Sequence, residues 1–319
     1  ASTTKIMTAL VLLEQKSDLS EMVTVGDELD TITSDSSVMG LVKGETISLQ
    51  DLLYGMMLVS GNDAAATIAV AVAGSQEAFA QMMNDRAERL GMNDTHFVNP
   101  HGLHDENHYT TASDMNKLAI AAMQNETFCQ IGHTRHIEID GFDLYFHNKL
   151  LNLYPYAVGM KTGFTKKSGK CLVSSAKKDG VTLVAVTLNG GDYWNDHIKL
   201  FDYGFSQVEA VQLEAPCLPD IAVTGGCTSR VQPRMEKPPA VTLLKGEKEK
   251  LVVRVELDAF EWAPVAAGQP LGSVRYLVGD RELCRLPVTA AYTVDARPVA
   301  GYKDQAKRWF MKLLRELLR

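Results

Sequence analysis

The stretch Ser2-Thr3-Thr4-Lys5-Ile6-Met7-Thr8-Ala9-Leu10-Val11-Leu12-Leu13-Glu14 sets a hydroxyl and an amine three residues apart at the head of an apolar segment. Ile6, Met7, Ala9, Leu10 and Leu13 follow an i, i+3, i+4, i+7 pattern, which predicts a helix over residues 2–14 with one buried face. On a helix, Ser2 and Lys5 share a face one turn apart. Serine attacks only when a base takes its proton, and a neutral amine can be that base. At a reference pKa of ~10.4, about one lysine in 2500 is neutral at pH 7. Lowering the pKa by ~3 units corresponds to about 4 kcal/mol, which burial and a second cation can supply. S-x-x-K recurs at Ser174…Lys177 and Ser175…Lys178. Those copies read as the end of a strand entering a turn, where i and i+3 face opposite sides. Only the Ser2 copy opens an amphipathic helix.

Outward from this helix, the chain reads as mostly helical to about residue 130. Ser48, with Asp51 three residues on, is an N-cap signal for a helix reaching Met57. Ser60-Gly61-Asn62 interrupts it, residues 62–73 and 76–90 resume helix, and Gly91 stops the second of these. Residues 99–109 are polar and read as an ordered loop, followed by a helix over 111–124. The period then changes. Residues 135–146 predict a hairpin about Asp140-Gly141, and 158–165, 170–176 and 181–188 read as strands, with Lys178-Asp179-Gly180 as a turn. A closing helix over 197–205 is expected to pack Leu200, Phe201 and Tyr203. The reading is an α+β domain over residues 1–208. Residues 209–298 carry short strands between Gly and Pro turns (221–223, 241–244, 251–257, 272–278, 285–289) and read as a small all-β domain, with the charge run 245–250 as a solvated hairpin.

The 319 residues suit about two domains, and 45% apolar with 22% charged residues excludes wholesale disorder. A net charge of −7 excludes a general nucleic-acid binder. The charge is uneven: residues 303–319 carry +4 and the remaining 302 residues carry −11. Residues 299–319 read as a basic amphipathic helix, and 303–319 span only ~26 Å, too short to cross a ~30 Å hydrocarbon core but suited to anionic headgroups. Five widely spaced cysteines without C-x-x-C describe neither a zinc site nor a disulfide scaffold, a Cys217–Cys227 bridge being the one pairing left open. No run of 18 apolar residues occurs. The chain opens at Ala1-Ser2 without Met and is read as a processed or truncated piece.

Two further motifs follow the first. Ser60-Gly61-Asn62 holds a hydroxyl and an amide on a turn, able to relay a proton and bind a substrate amide. Lys161-Thr162-Gly163 sits on a strand: Lys gives fixed charge, Thr a donor for a carboxylate, and Gly permits close approach of substrate backbone. The similar Lys167-Ser168-Gly169 lies in a polar, Lys-rich turn. S-x-x-K, S-x-N and K-T-G in this order, with the wider segments 1–10, Asn99-Pro100-His101-Gly102-Leu103 and 159–165, resemble the low-mass penicillin-binding proteins, the serine-type D-alanyl-D-alanine carboxypeptidases.

The resemblance implies a penicillin-binding/β-lactamase-like domain of helices with an antiparallel sheet, a small all-β domain, and a C-terminal amphipathic helix. It implies that Ser2 attacks the carbonyl between the terminal D-alanines of the peptidoglycan stem peptide and that Lys5 accepts its proton. Ser60 and Lys161 would deliver a proton to the departing D-alanine. Asn62 would hold the substrate amide, and Lys161 with Thr162 the carboxylate. Gly163 would admit the substrate backbone, and the N–H groups of Ser2 and Phe164 would form the oxyanion hole. β-Lactams are the implied inhibitors, no cofactor or metal is implied, and the implied location is the extracytoplasmic face of the bacterial membrane, with residues 303–319 on its surface.

Three departures qualify this pattern. The family usually has some tens of residues before the nucleophile, including a signal peptide and strands of the central sheet. Some members carry an Arg after the strand that follows K-T-G, and residues 189–199 hold none. E-x-x-L-N, the deacylating motif of class A β-lactamases, is absent. A DD-endopeptidase, a β-lactamase and a non-catalytic binder of wall peptides remain the alternatives. His101, His104 and His108, with Asp105 and Glu106, are read as a hydrogen-bonded loop beside the site and not as metal ligands.

Overall fold

The computed structural model describes residues 1–298, with Phe310 and Leu313 beyond them. The amphipathic helix expected over 299–319, and its membrane-facing stretch 303–319, lie outside the described residues. The chain divides into two compact units, Ala1–Val208 and Glu209–Arg319.

In the first unit a 3-10 turn, Ser2–Thr4, leads into α1 (Lys5–Gln15). A short β1 (Met22–Thr24) pairs with β2 (Thr46–Ser48). Next come α2 (Leu49–Leu58), α3 (Asn62–Ala73), α4 (Gln76–Arg89), α5 (Ala112–Ala122) and α6 (Glu126–His133). The hairpin β3 (His136–Ile139) and β4 (Phe142–Tyr145) turns at Asp140-Gly141, and α7 (Leu150–Leu153) precedes the main sheet. That sheet is antiparallel, order β5-β6-β7, from β5 (Ala157–Thr165), β6 (Gly169–Lys178) and β7 (Val181–Thr187), and α8 (Tyr193–Gln207) closes the unit.

The helix starts follow from local chemistry. Ser48 accepts from the Asp51 amide, Ser75 from Ala78, Thr111 from Asp114 and Asn125 from Phe128. Each satisfies one backbone donor that the first turn leaves free. The helix α6 escaped the sequence reading because its eight residues are too few to establish a period.

Two expectations are corrected. The segment 2–14 was expected to bury one face, but Lys5 through Leu12 are all buried, because α2 to α6 and β5 surround α1. The closing helix was expected to pack Leu200, Phe201 and Tyr203. Phe201 is buried, but Leu200 and Tyr203 are exposed, and the inner face is His197, Phe201 and Phe205, spaced by four. The helix begins four residues earlier than expected, which rotates the choice of face.

The second unit opens with β8 (Val208–Gln212), which starts on the last residue of the first, and is all-β in its described part. It continues through β9 (Ile221–Thr224), β10 (Arg230–Val231), β11 (Pro233–Met235), β12 (Ala240–Leu244), β13 (Leu251–Leu257), β14 (Phe260–Trp262), β15 (Pro270–Val278) and β16 (Arg281–Ala290). The larger sheet has the order β11-β16-β15-β13, the smaller β10-β9-β14, and β8 pairs with β12. Its own core joins Val231, Val265, Leu271, Val274, Tyr276 and Val288. Cys217 and Cys227 are exposed and free, so the bridge left open by the sequence is not formed.

Candidate active site

Ser2 stands on the 3-10 turn, where i and i+3 side chains eclipse, and this aligns it with Lys5 at the first residue of α1. Lys5 Nζ lies 3.0 Å from Ser2 Oγ, 2.5 Å from Asn62 Oδ1 and 2.8 Å from the His101 carbonyl oxygen. No carboxylate forms an ion pair with it among the described residues. Its side chain is fully buried, and that burial holds its pKa well below the usual lysine value; the charge of Lys161 lowers it further, against a smaller upward pull from Asp63.

The three neighbours fix how a neutral amine sits. Asn62 Oδ1 and the His101 carbonyl can only accept, so they take the two N–H groups of the neutral amine. The lone pair then faces the one neighbour that carries a proton, the Ser2 hydroxyl.

Asn62 is placed by the break between α2 and α3. Ser60 has φ +64°, a left-handed backbone that is uncommon for a side-chain-bearing residue and that turns the chain sharply between the helices. Asp63 fixes the same turn. Its carboxylate accepts from the amides of Met39, Gly40, Leu41 and Ala64, tying residues 39–41 to the first turn of α3. The sequence reading missed Asp63. Its one signal was an acid in the first turn of a helix directly after S-x-N, where an anion suits the helix dipole.

Lys161, Thr162 and Gly163 lie on β5, paired in register with Val173, Leu172 and Cys171. A Cβ on Gly163 would stand 2.9 Å from the Thr3 amide nitrogen and 3.0 Å from that of Ser2, so only glycine lets β5 press against the nucleophile's turn. Lys161 is fully buried, its nearest partner is the Thr162 carbonyl at 3.3 Å, and burial pushes its pKa down to about 7. No hydrogen bond joins Ser60 to Lys161 among the described residues, although both were expected to act on one proton.

Ser2, Ser60, Asn62, Thr162, Gly163 and Phe164 all line one cleft of about 820 Å³, with Lys5 and Lys161 buried. Phe164 is exposed at its edge. Lys149, Lys166 and Lys167 add cations to the lining, against one acid, Asp35. Where a family Arg would fall after β7, Tyr193 and Trp194 line the cleft instead. Lys167 of the alternative K-S-G therefore reaches the cleft, but Ser174 and Ser175 do not: they are buried in β6, Ser174 bonded to His197.

The 99–109 loop braces the nucleophile's turn. Thr8 donates to the Pro100 carbonyl at 2.5 Å, Thr4 Oγ1 lies 2.8 Å from His108 Nε2, and Gly102 (φ +83°) leaves no room for a Cβ against the Ala1 carbonyl. The described residues that could gather about a metal ion are elsewhere, the exposed His136, Glu138 and Asp143 of the β3–β4 hairpin.

Residues 1–192 match the profile of D-alanyl-D-alanine carboxypeptidases, and residues 218–296 that of the penicillin-binding protein 5 C-terminal domain. The chain belongs to the D-alanyl-D-alanine carboxypeptidase family. It is 29% identical to D-alanyl-D-alanine carboxypeptidase DacF of Bacillus subtilis, covering 100% of this chain and 82% of that one. It is 32% identical to DacC of Escherichia coli, covering 92% and 78%. Penicillin-binding protein 5 of Haemophilus influenzae superposes with a TM-score of 0.70 at 29% identity, over 92% of this chain and 90% of that one. The helices with an antiparallel sheet and the small all-β domain expected from the family are therefore observed.

Proposed function

We propose that this chain is a serine-type D-Ala-D-Ala carboxypeptidase that removes the terminal D-alanine of peptidoglycan stem pentapeptides through an acyl-enzyme on Ser2. The observation that carries this reading is the buried Lys5 amine, 3.0 Å from Ser2 Oγ and without a carboxylate partner. Desolvation keeps such an amine neutral, so it accepts the Ser2 proton as Oγ bonds to the penultimate D-alanine carbonyl carbon. The negative charge that develops on the carbonyl oxygen is taken by the N–H groups of Ser2 and Phe164, a donor of this kind supplying ~3–4 kcal/mol of barrier. The C–N bond then breaks. The proton that Lys5 took from Ser2 passes by way of Ser60 and Lys161 to the leaving nitrogen, so free D-alanine departs and the Lys5 amine is neutral again. Water, giving up its proton to the regenerated Lys5 amine, adds to the ester and restores Ser2.

Asn62 holds the substrate amide with its NH₂, its Oδ1 being committed to Lys5. Thr162 and Lys161 take the terminal carboxylate, and the surplus of lysines around the cleft favours an anionic end over a neutral one. A β-lactam presents the same carboxylate and a strained amide to Ser2, which supports inhibition by that class.

Intact mass after exposure to benzylpenicillin should show one adduct on the wild-type chain and none on Ser2→Ala, with Ser174→Ala and Ser175→Ala unaffected. Free D-alanine should appear from a pentapeptide faster than cleavage of a cross-linked dimer. A labelled Ser2→Ala protein would sink the reading.

The family acts on the cell wall, and we place this chain in the cell envelope. The extracytoplasmic membrane surface, met by residues 303–319, is the location we propose, on the strength of their +4 charge. No described helix is long and apolar enough to cross a membrane. Deletion of residues 303–319 should abolish binding to anionic liposomes. No nucleic-acid partner is proposed, given a net charge of −7.

A further inference from the structure

Three histidines line the cleft, His101, His104 and His147, and of these only His101 is buried, with one ring nitrogen committed and one open. His108 engages Thr4 through Nε2 at 2.8 Å and the Val98 amide through Nδ1 at 3.1 Å. The distant buried His197 likewise meets Ser174 with Nδ1 and Thr187 with Nε2. His101 differs. Its Nδ1 accepts from the Leu103 amide at 3.2 Å, which places the imidazole proton on Nε2. That Nε2–H has no hydrogen-bond partner among the described residues.

The residue is only 5% exposed, yet Nε2 is not one of the fully enclosed orphan atoms, which are Thr67 Oγ1, Asn148 Nδ2 and Ser175 Oγ. Open space therefore reaches it, and the cleft that His101 lines is the one shared with Ser2 and Asn62. The ring is held neutral: burial, the largest cause, pushes its pKa down to about 3. Its backbone carbonyl is already fixed by Lys5 at 2.8 Å, so the donor is held in place before any ligand arrives.

We infer that His101 donates its Nε2–H to a carbonyl oxygen of the bound peptide, as a further substrate-contacting residue of this cleft. A neutral, rigid donor suits an uncharged acceptor, whereas a carboxylate is better met by Lys149, Lys166 or Lys167, which line the same cleft. The peptide carbonyl takes the place of the solvent that reaches this N–H in the open cleft. The inference rests on reading the cleft as a peptide site.

Two substitutions separate contact from loop support, because an Asn amide stands near Nδ1 and a Gln amide near Nε2. His101→Asn keeps an acceptor for the Leu103 amide and withdraws the donor from the cleft. His101→Gln does the reverse. In full-length enzyme, His101→Asn should lower kcat/KM for D-alanine release from a pentapeptide about tenfold at an unchanged melting temperature. His101→Gln should melt lower but hold kcat/KM within about threefold of wild type, the remainder of one hydrogen bond. An Asn variant as fast as wild type overturns the inference, and so do parallel losses of activity and melting temperature in both variants. Nitrogen-15 histidine spectra of the wild-type chain provide a test that needs no variant to fold: a proton on Nδ1 of His101 overturns the assignment. Failure of benzylpenicillin to acylate the wild type would instead defeat the carboxypeptidase reading and leave the tautomer untouched.

Discussion

Two places, the cleft of the first unit and the β13–β15–β16 sheet of the second, treat positive charge in opposite ways. In the first, Lys5 and Lys161 are fully buried with no carboxylate bonded to either. In the second, Arg275 lies between Glu256 at 3.1 Å and Glu282 at 2.5 Å, on a partly exposed sheet face. Arg254 stands opposite Arg275 in the β13–β15 register, and the two glutamates offset that like-charge pairing. Asp63 makes the contrast sharper. It lies close enough to raise the Lys5 pKa, yet its oxygens are committed to four backbone amides. An amine kept from its counter-ion in a desolvated place becomes a base, whereas an arginine set between acids becomes a strut.

Removing the proposed base should produce the largest effect. Lys5→Met should slow acylation of Ser2 by benzylpenicillin on the order of a thousandfold, while the melting temperature at pH 7 holds or rises because a buried amine has gone. An equal loss of stability would mean that Lys5 is a packing element instead.

The pH dependence of stability comes next. The Lys161 pKa is about 7 in the folded chain against an ordinary value of 10.5, so between those limits the unfolded chain binds more protons. Stability therefore rises with pH across that window, the deficit at pH 7 being about 4 kcal/mol for this group. Urea titrations from pH 7 to 10 should show the rise, and Lys161→Met should reduce it, leaving the part that the depressed Lys5 contributes. The Met variant should also lose affinity for substrates that end in a carboxylate.

The smallest effect belongs to the second unit. Arg275→Gln should leave the denaturant midpoint almost unchanged, since its ion pairs are open to solvent. The rate of penicillin acylation should not change. A large loss of activity would break the contrast between the units.

Much of the site could be read from the chain because its chemistry is local. Ser2 and Lys5 are one turn apart, Ser60 and Asn62 share a turn, and Lys161 to Phe164 share a strand. The Ser48 cap and the Asp140-Gly141 turn depend on neighbours within three residues, and they appear where expected. The misreadings involve partners that sequence spacing does not show. The inner face of α8 is chosen by Leu150, Tyr154 and Leu172, which lie some twenty to fifty residues away. His101 looked like a loop residue among other histidines, and its open nitrogen is visible only once the Leu103 amide is seen to occupy Nδ1.

Sequence alone determined the family, the candidate site motifs, the α+β character and the acidic body, because these rest on residue identity and short-range spacing. Tertiary structure decided which protons are held. Whether the Lys5 amine is neutral depends on six elements closing around α1 and on Asp63 being occupied elsewhere, and desolvation is a property of the assembled core that no stretch of chain carries by itself.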